Sequence, residues 1–109
     1  MKVDYEYLKG ILFVRLKGKL NKHNSDELEN YLIPVILRKG IKYIVFNLYD
    51  LASIDNRGIH VLETGLRAVE ANNGTAYMCE VPNNLNELLS VTKINKVISE
   101  LKAIELFNI

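Results

Sequence analysis

The sequence predicts an α/β fold built on a mixed β-sheet, and three observations carry that expectation. Two period-two runs flank Lys9-Gly10 near the start, which is the pattern of an antiparallel hairpin. The apolar run Ile41–Leu48, with Ile44, Val45 and Phe46 at its centre, reads as a strand buried on both faces. Helical periodicity then alternates with short apolar runs to the end of the chain, which implies parallel strands joined by helical crossovers. The predicted order is β-β-α-β-α-β-α-β-α.

Each element has its own warrant. Val3–Leu8 alternates apolar and polar residues, and Ile11–Lys17 places Leu12, Val14 and Leu16 on one face. Asn24, with Glu27 three positions on, resembles a capped helix start. Leu28, Leu32, Val35 and Ile36 share one face of that helix. Pro34 falls inside it and is expected to kink it or end it early, and Gly40 is a natural stop. After Ile41–Leu48, residues Tyr49–Asn56 read as a loop. A second helix over Arg57–Asn72 buries Ile59, Leu62, Leu66 and Val69, and turns His60, Glu63, Thr64, Arg67 and Glu70 mostly outward. Asn73-Gly74 ends it. Thr75–Val81 is the next strand, stopped by Pro82. Asn84 with Glu87 marks a third helix start, with Leu85, Leu88 and Leu89 on its apolar face. Lys96–Ile98 is a short strand. Ser99 caps a last helix carrying Leu101 and Ile104, and Phe107 is a further core candidate.

Bulk properties narrow the function classes. A chain of 109 residues corresponds to one domain over 1–109, and 49% hydrophobic residues suffice for a core. A net charge of +1, with acidic and basic residues interspersed, supplies no field for nucleic acid. The single cysteine, Cys79, cannot form an internal disulfide and reads as a buried strand thiol. Met1–Glu6 mixes charged and apolar side chains, unlike a secretory leader, and no apolar stretch is long enough to span a bilayer. A cytoplasmic location is the expectation. His23 and His60 lack the spacing of a metal site, and neither a phosphate-binding glycine loop nor a Ser-His-Asp arrangement occurs. No enzyme activity, cofactor or metal is therefore expected.

The stretch from Val45 to Ile59, Val-Phe-Asn-Leu-Tyr-Asp-Leu-Ala-Ser-Ile-Asp-Asn-Arg-Gly-Ile, resembles the signature region of STAS domains of the anti-sigma-factor-antagonist kind. In that family a hydrophobic strand leads through an Asp-Leu loop to an Asp-Ser/Thr-Ser/Thr-Gly motif that opens a helix. Leu16-Lys17-Gly18-Lys19-Leu20 is similar to the family's Gly-Glu-Leu segment, and the Asn73-Gly74 turn with its following strand and Leu-rich helix also fits. The resemblance implies a module that binds a kinase-like anti-sigma factor, a protein serine kinase, and so frees a sigma factor. It also implies a switch, because the kinase phosphorylates the second Ser/Thr of the motif and abolishes binding. Related domains scaffold signalling assemblies or form parts of transporters, and partnership with other STAS or transporter proteins is the alternative reading.

Matched to the motif, Asp55 takes the Asp position, Asn56 the first Ser/Thr, Arg57 the phosphoacceptor and Gly58 the Gly. Arginine has no hydroxyl, so the resemblance leaves no phosphorylation site at Arg57, and Ser53 is the nearest alternative. Arg57 either points into solvent, pairs with an acidic partner surface, or holds an anion bidentately. Asp55 is expected to cap the second helix, a role compatible with partner contact. The expected partner-binding face comprises Ser53, Asp55, Asn56, Arg57, Gly58, His60, Thr64 and Arg67. His60 and Glu63 are expected to form an exposed pair, and Asp26 and Glu27 to favour the dipole at their helix start. A third reading, a small enzyme or nucleotide binder using a helix N-terminus as an anion site, lacks a catalytic constellation.

Overall fold

A computed structural model describes residues 1–108. The chain runs β1 (Lys2–Leu8), β2 (Ile11–Leu20), α1 (Ser25–Lys39), β3 (Tyr43–Ile54), α2 (Asn56–Ala71), β4 (Thr75–Cys79), α3 (Asn83–Leu89), β5 (Asn95–Val97) and α4 (Glu100–Phe107). The five strands lie in sequence order across one sheet. β1 is antiparallel to β2, and every later pairing is parallel. The mixed sheet and the element order are those the sequence predicts.

Strand order explains where the helices go. Each parallel crossover steps to the next strand in the same direction, and right-handed connections then place the crossover helices on one face. The main core forms there. Leu28, Leu32 and Ile36 of α1, Leu62 and Val69 of α2, and Leu85 and Leu89 of α3 pack against inward side chains such as Val14, Phe46 and Met78. The two-residue period of β3 sends Ile44, Phe46 and Leu48 into this layer and Val45 into the opposite one. On that opposite face α4 sets Ala103 and Phe107 over Ile11, Phe13, Val45 and Cys79. The Phe107 ring lies 4.7 Å from that of Tyr43 and 5.0 Å from that of Tyr77. Phe107 is thus a core residue. Cys79 is fully buried, and desolvation pushes its thiol pKa up to about 12, which keeps it protonated and inert.

α4 is anchored by charge as well as by burial. Arg15 of β2 donates from Nε and one Nη to the two carboxylate oxygens of Glu100, at 2.8 and 2.9 Å. Its other Nη reaches Asp4 and Glu6 of β1, and Asn47 of β3 donates to Glu100 and Glu80. One cation thereby ties the edge strand, the central strands and the first turn of α4. The helix dipole favours a carboxylate at that position.

Several local expectations are corrected. Pro34 does not end α1, which continues to Lys39. The lost backbone hydrogen bond is outweighed by complete burial of Leu32 and Ile36 on either side. Asn24 precedes α1, but its side chain forms no cap. It accepts from the Asn21 amide and donates to the Lys19 carbonyl, so it closes the preceding loop instead. β2 runs on to Leu20, and β4 stops at Cys79 rather than Val81. β5 begins at Asn95 and leaves Ile98 exposed. Leu88 and Leu101 also face solvent, and Ala103 and Phe107 supply the buried face of α4. Ser99 caps α4 as predicted, accepting from the Lys102 amide.

The turn after α2 leaves no room for a side chain. Asn73 adopts a left-handed backbone, and the next residue, Gly74, lies so close to Lys42 that a Cβ would overlap its carbonyl group. That carbonyl accepts from the Thr75 amide and begins the β3–β4 pairing. Gly74→Ala is therefore expected to cost at least about 2 kcal/mol by urea unfolding, the range of overpacked sites with backbone displacement.

Candidate functional site

The site is built where β2 and β3 end together. The sequence assigns Tyr49–Asn56 to a loop, but β3 continues through it to Ile54. Lys17 pairs with Asp50, Gly18 with Leu51, Lys19 with Ser53 and Leu20 with Ile54, with register shifts between Arg15 and Lys17 and between Gly18 and Lys19. The irregular register absorbs the extra β3 residues and brings Leu20 and Ile54 side by side. α1 and α2 consequently start close to one another on the same rim.

Asp55 locks this junction. Its amide donates to the Leu20 carbonyl at 3.2 Å. One carboxylate oxygen accepts from the Gly58 amide at 2.9 Å, capping α2 as predicted, and the other accepts from the Lys22 amide at 2.9 Å. The Gly58 bond is the largest cause of a pKa held below the usual Asp value. Gly58 is required by proximity, since a Cβ there would stand 2.7 Å from both the Leu20 carbonyl oxygen and the Ile54 side chain.

Arg57 does not project freely. One Nη donates to Asp26 at 2.6 Å and to Glu29 at 2.8 Å, both on α1. Glu29 is the more sheltered partner, with 24% of its side chain exposed against 74% for Asp26. The Arg57 bond holds the Glu29 pKa below the ordinary carboxylate value, and the pair of acids raises that of Arg57. Among the described residues, Nε and the other Nη of Arg57 have no partner.

The remaining predicted residues extend the surface outward. Ser53 and Asn56 are exposed beside the turn, and His60 and Arg67 are exposed along α2. Thr64 donates to the His60 carbonyl and accepts from Arg67 at 3.1 Å, which orders the stripe. Glu63 forms no ion pair with His60. The structure thus collects Ser53, Asp55, Asn56, Arg57, His60, Thr64 and Arg67 at or near the surface around the start of α2, with Gly58 buried beneath them. Sequence reasoning missed Lys22, Asp26 and Glu29. The two acids sit three positions apart on α1 and so share a face, which was the available signal. Among the described residues no group of His, Cys, Asp and Glu side chains could hold a metal ion, and no helix is long and apolar enough to cross a membrane.

A mixed five-stranded sheet flanked by helices, with an Asp-capped helix start on its rim, defines an α/β domain. More particularly, the chain belongs to the STAS domain family, whose model matches residues 2–108. It is 27% identical over 97 residues to an anti-sigma F factor antagonist of Paenibacillus polymyxa, covering 89% of this chain and 83% of that protein. Two solved structures share the fold. The Thermotoga maritima protein TM1081 superposes with a TM-score of 0.89 at 19% identity, covering 98% of this chain and 95% of that one. The anti-sigma factor antagonist SpoIIAA of Bacillus, solved in unphosphorylated and phosphorylated forms, superposes in the former with a TM-score of 0.81. There the identity is 18%, with 98% of each chain covered.

A pH prediction follows from the site's carboxylates. Asp55 and Glu29 have folded pKa values below their unfolded ones. Their stabilisation is therefore complete above the unfolded pKa and is lost as pH falls through the folded value. Unfolding stability should decline as pH drops below about 4.5. Asp55→Asn, which keeps a capping oxygen, should show a shallower decline than the wild type in urea titrations at stepped pH.

Proposed function

We propose that this chain is a cytoplasmic, non-enzymatic regulatory module of the anti-sigma-factor-antagonist type, acting as one domain over 1–109. Its partner is a kinase-like anti-sigma factor, which docks on the rim formed by Ser53, Asp55, Asn56, Arg57 and Gly58 and on the outward stripe His60, Thr64 and Arg67. The observation that carries this reading is the Asp55 junction. It fixes the start of α2 by three hydrogen bonds, one each to the end of β2, the loop before α1 and the first turn of α2, and presents it on the surface. A preformed surface of this kind binds with little ordering cost. Support also comes from the likeness to an anti-sigma F factor antagonist over most of both chains.

The position of Arg57 gives the module its individual character. A phosphorylated hydroxyl at this helix start would add about two negative charges next to Asp26 and Glu29. Arg57 instead offsets one of those two negative charges. The surface then never takes on the negative charge of a phosphorylated antagonist, and a serine kinase cannot switch it off at this residue.

Affinity capture from the native cell, read by mass spectrometry, should recover a protein with an ATPase-type kinase domain. Recovery of a transporter or of other STAS scaffold proteins in its place would overturn the proposal. With the recovered kinase and labelled ATP, the wild type should take up no phosphate at position 57, whereas Arg57→Ser should become labelled there. Arg57→Glu clusters three carboxylates at the rim and should weaken binding at least about tenfold, by reversing the local charge. Unchanged affinity in calorimetry would remove Arg57 from the interface.

A further inference from the structure

β1 is an edge strand whose defence against further pairing is the charge of Lys2, Asp4 and Glu6. All seven residues from Lys2 to Leu8 pair with β2 in unbroken register, with no bulge and no proline. The outer edge borders an open groove of about 450 Å³ between β1 and α1, lined on the strand side by Met1, Val3 and Tyr5 and on the helix side by Leu28 and Tyr31. Tyr5 and Tyr31 meet in the groove lining with ring centres 4.6 Å apart and their planes tilted by 43°. Met1, Tyr7 and Tyr31 remain about half exposed. The opposite edge of the sheet differs, because β5 has only three residues.

The hairpin geometry fixes which backbone groups are free. Lys9 and Gly10 both have positive φ, 54° and 82°, as in a two-residue turn whose flanking residues Leu8 and Ile11 exchange hydrogen bonds. Alternation along the strand then directs the amides and carbonyls of Lys2, Asp4, Glu6 and Leu8 toward β2. Those of Val3, Tyr5 and Tyr7 face outward.

We infer that β1 pairs antiparallel with β1 of a second copy of this chain, about a two-fold axis through Asp4. Three two-fold registers satisfy the outward backbone groups, and side-chain charge separates them. Centring on Tyr5 sets Asp4 against Glu6 of the other copy twice. Centring on Glu6 sets Glu6 against itself and Asp4 against Leu8. Centring on Asp4 sets Lys2 against Glu6 twice, at close non-hydrogen-bonded positions, and Val3 against Tyr5 over the aromatic groove. The one like-charge contact in this register, Asp4 against Asp4, is outnumbered by the two Lys2–Glu6 contacts, and Arg15, which bonds both Asp4 and Glu6, screens these carboxylates alike in every register. A single strand pair is small beside the roughly 1,200–2,000 Å² of a stable interface, so the dimer is weak and concentration-dependent.

Sedimentation equilibrium from about 10 μM to about 1 mM should show a reversible monomer–dimer equilibrium. Concentration should slow amide exchange at Val3, Tyr5 and Tyr7. Lys2→Glu and Glu6→Lys should each weaken dimerisation at least about tenfold, since each turns two attractive cross-strand contacts into repulsive ones. An equimolar mixture of the two variants should form a heterodimer, and K2E/E6K in one chain should restore the homodimer. Circular dichroism of each variant checks that it is folded. A monomer throughout the concentration range, a dimer with unprotected Val3, Tyr5 and Tyr7 amides, or variants that fail to complement each other would each overturn the inference.

Discussion

The constraint on which the site depends is the parallel pairing of β2 with β3 out to Leu20 and Ile54. Had β3 ended at Leu48, α2 would leave the sheet far from the start of α1. Irregular pairing carries both strands to a common end, and the next residues are forced together there. Gly58 then approaches the Leu20 carbonyl more closely than a Cβ would permit, and Asp55 satisfies amides from both α2 and the loop before α1. Each of these features has a cost alone, whether a bulged ladder, a flexible glycine or a partly desolvated carboxylate. Together they satisfy one another's backbone groups, and the result is a rigid turn.

Two arginines solve similar problems on opposite sides of the sheet. Arg15 gathers Asp4, Glu6 and Glu100 and joins strands to α4. Arg57 gathers Asp26 and Glu29 and joins α2 to α1. They differ in what is left over. Arg15 uses Nε and both Nη groups, whereas Arg57 commits a single Nη and keeps its remaining donors unpartnered. A guanidinium fixed at one corner by two carboxylates is oriented in advance and still able to donate, which suits recognition better than a mobile charge on a long side chain.

The helices and the strand cores were legible in the sequence because their signals are local. Periodic apolar residues mark α2, and Asp55 and Ser99 sit where capping residues belong. What failed to show depends on distant partners. Tyr49–Ile54 carries mixed residues with little alternation, and only its neighbour β2 makes it a strand. Asn24 has a good capping side chain, but Asn21 and Lys19 claim it. Pro34 forbids one hydrogen bond, yet Leu32 and Ile36 are buried so completely that the helix persists around it. At the site, the cap role of Asp55 followed from its position alone, whereas the Arg57 clamp required knowing that α1 and α2 begin side by side.

α1 connects the two surfaces. Its Asp26 and Glu29 face Arg57 and the rim, while Glu27, Leu28 and Tyr31 line the groove beside β1. Both sets lie within the first two turns of the same helix, on different sides of it. Since α1 is packed through Leu28, Leu32 and Ile36 into the main core, it moves as a unit rather than bending locally. The rim and the groove are therefore carried by one helix whose position the main core fixes.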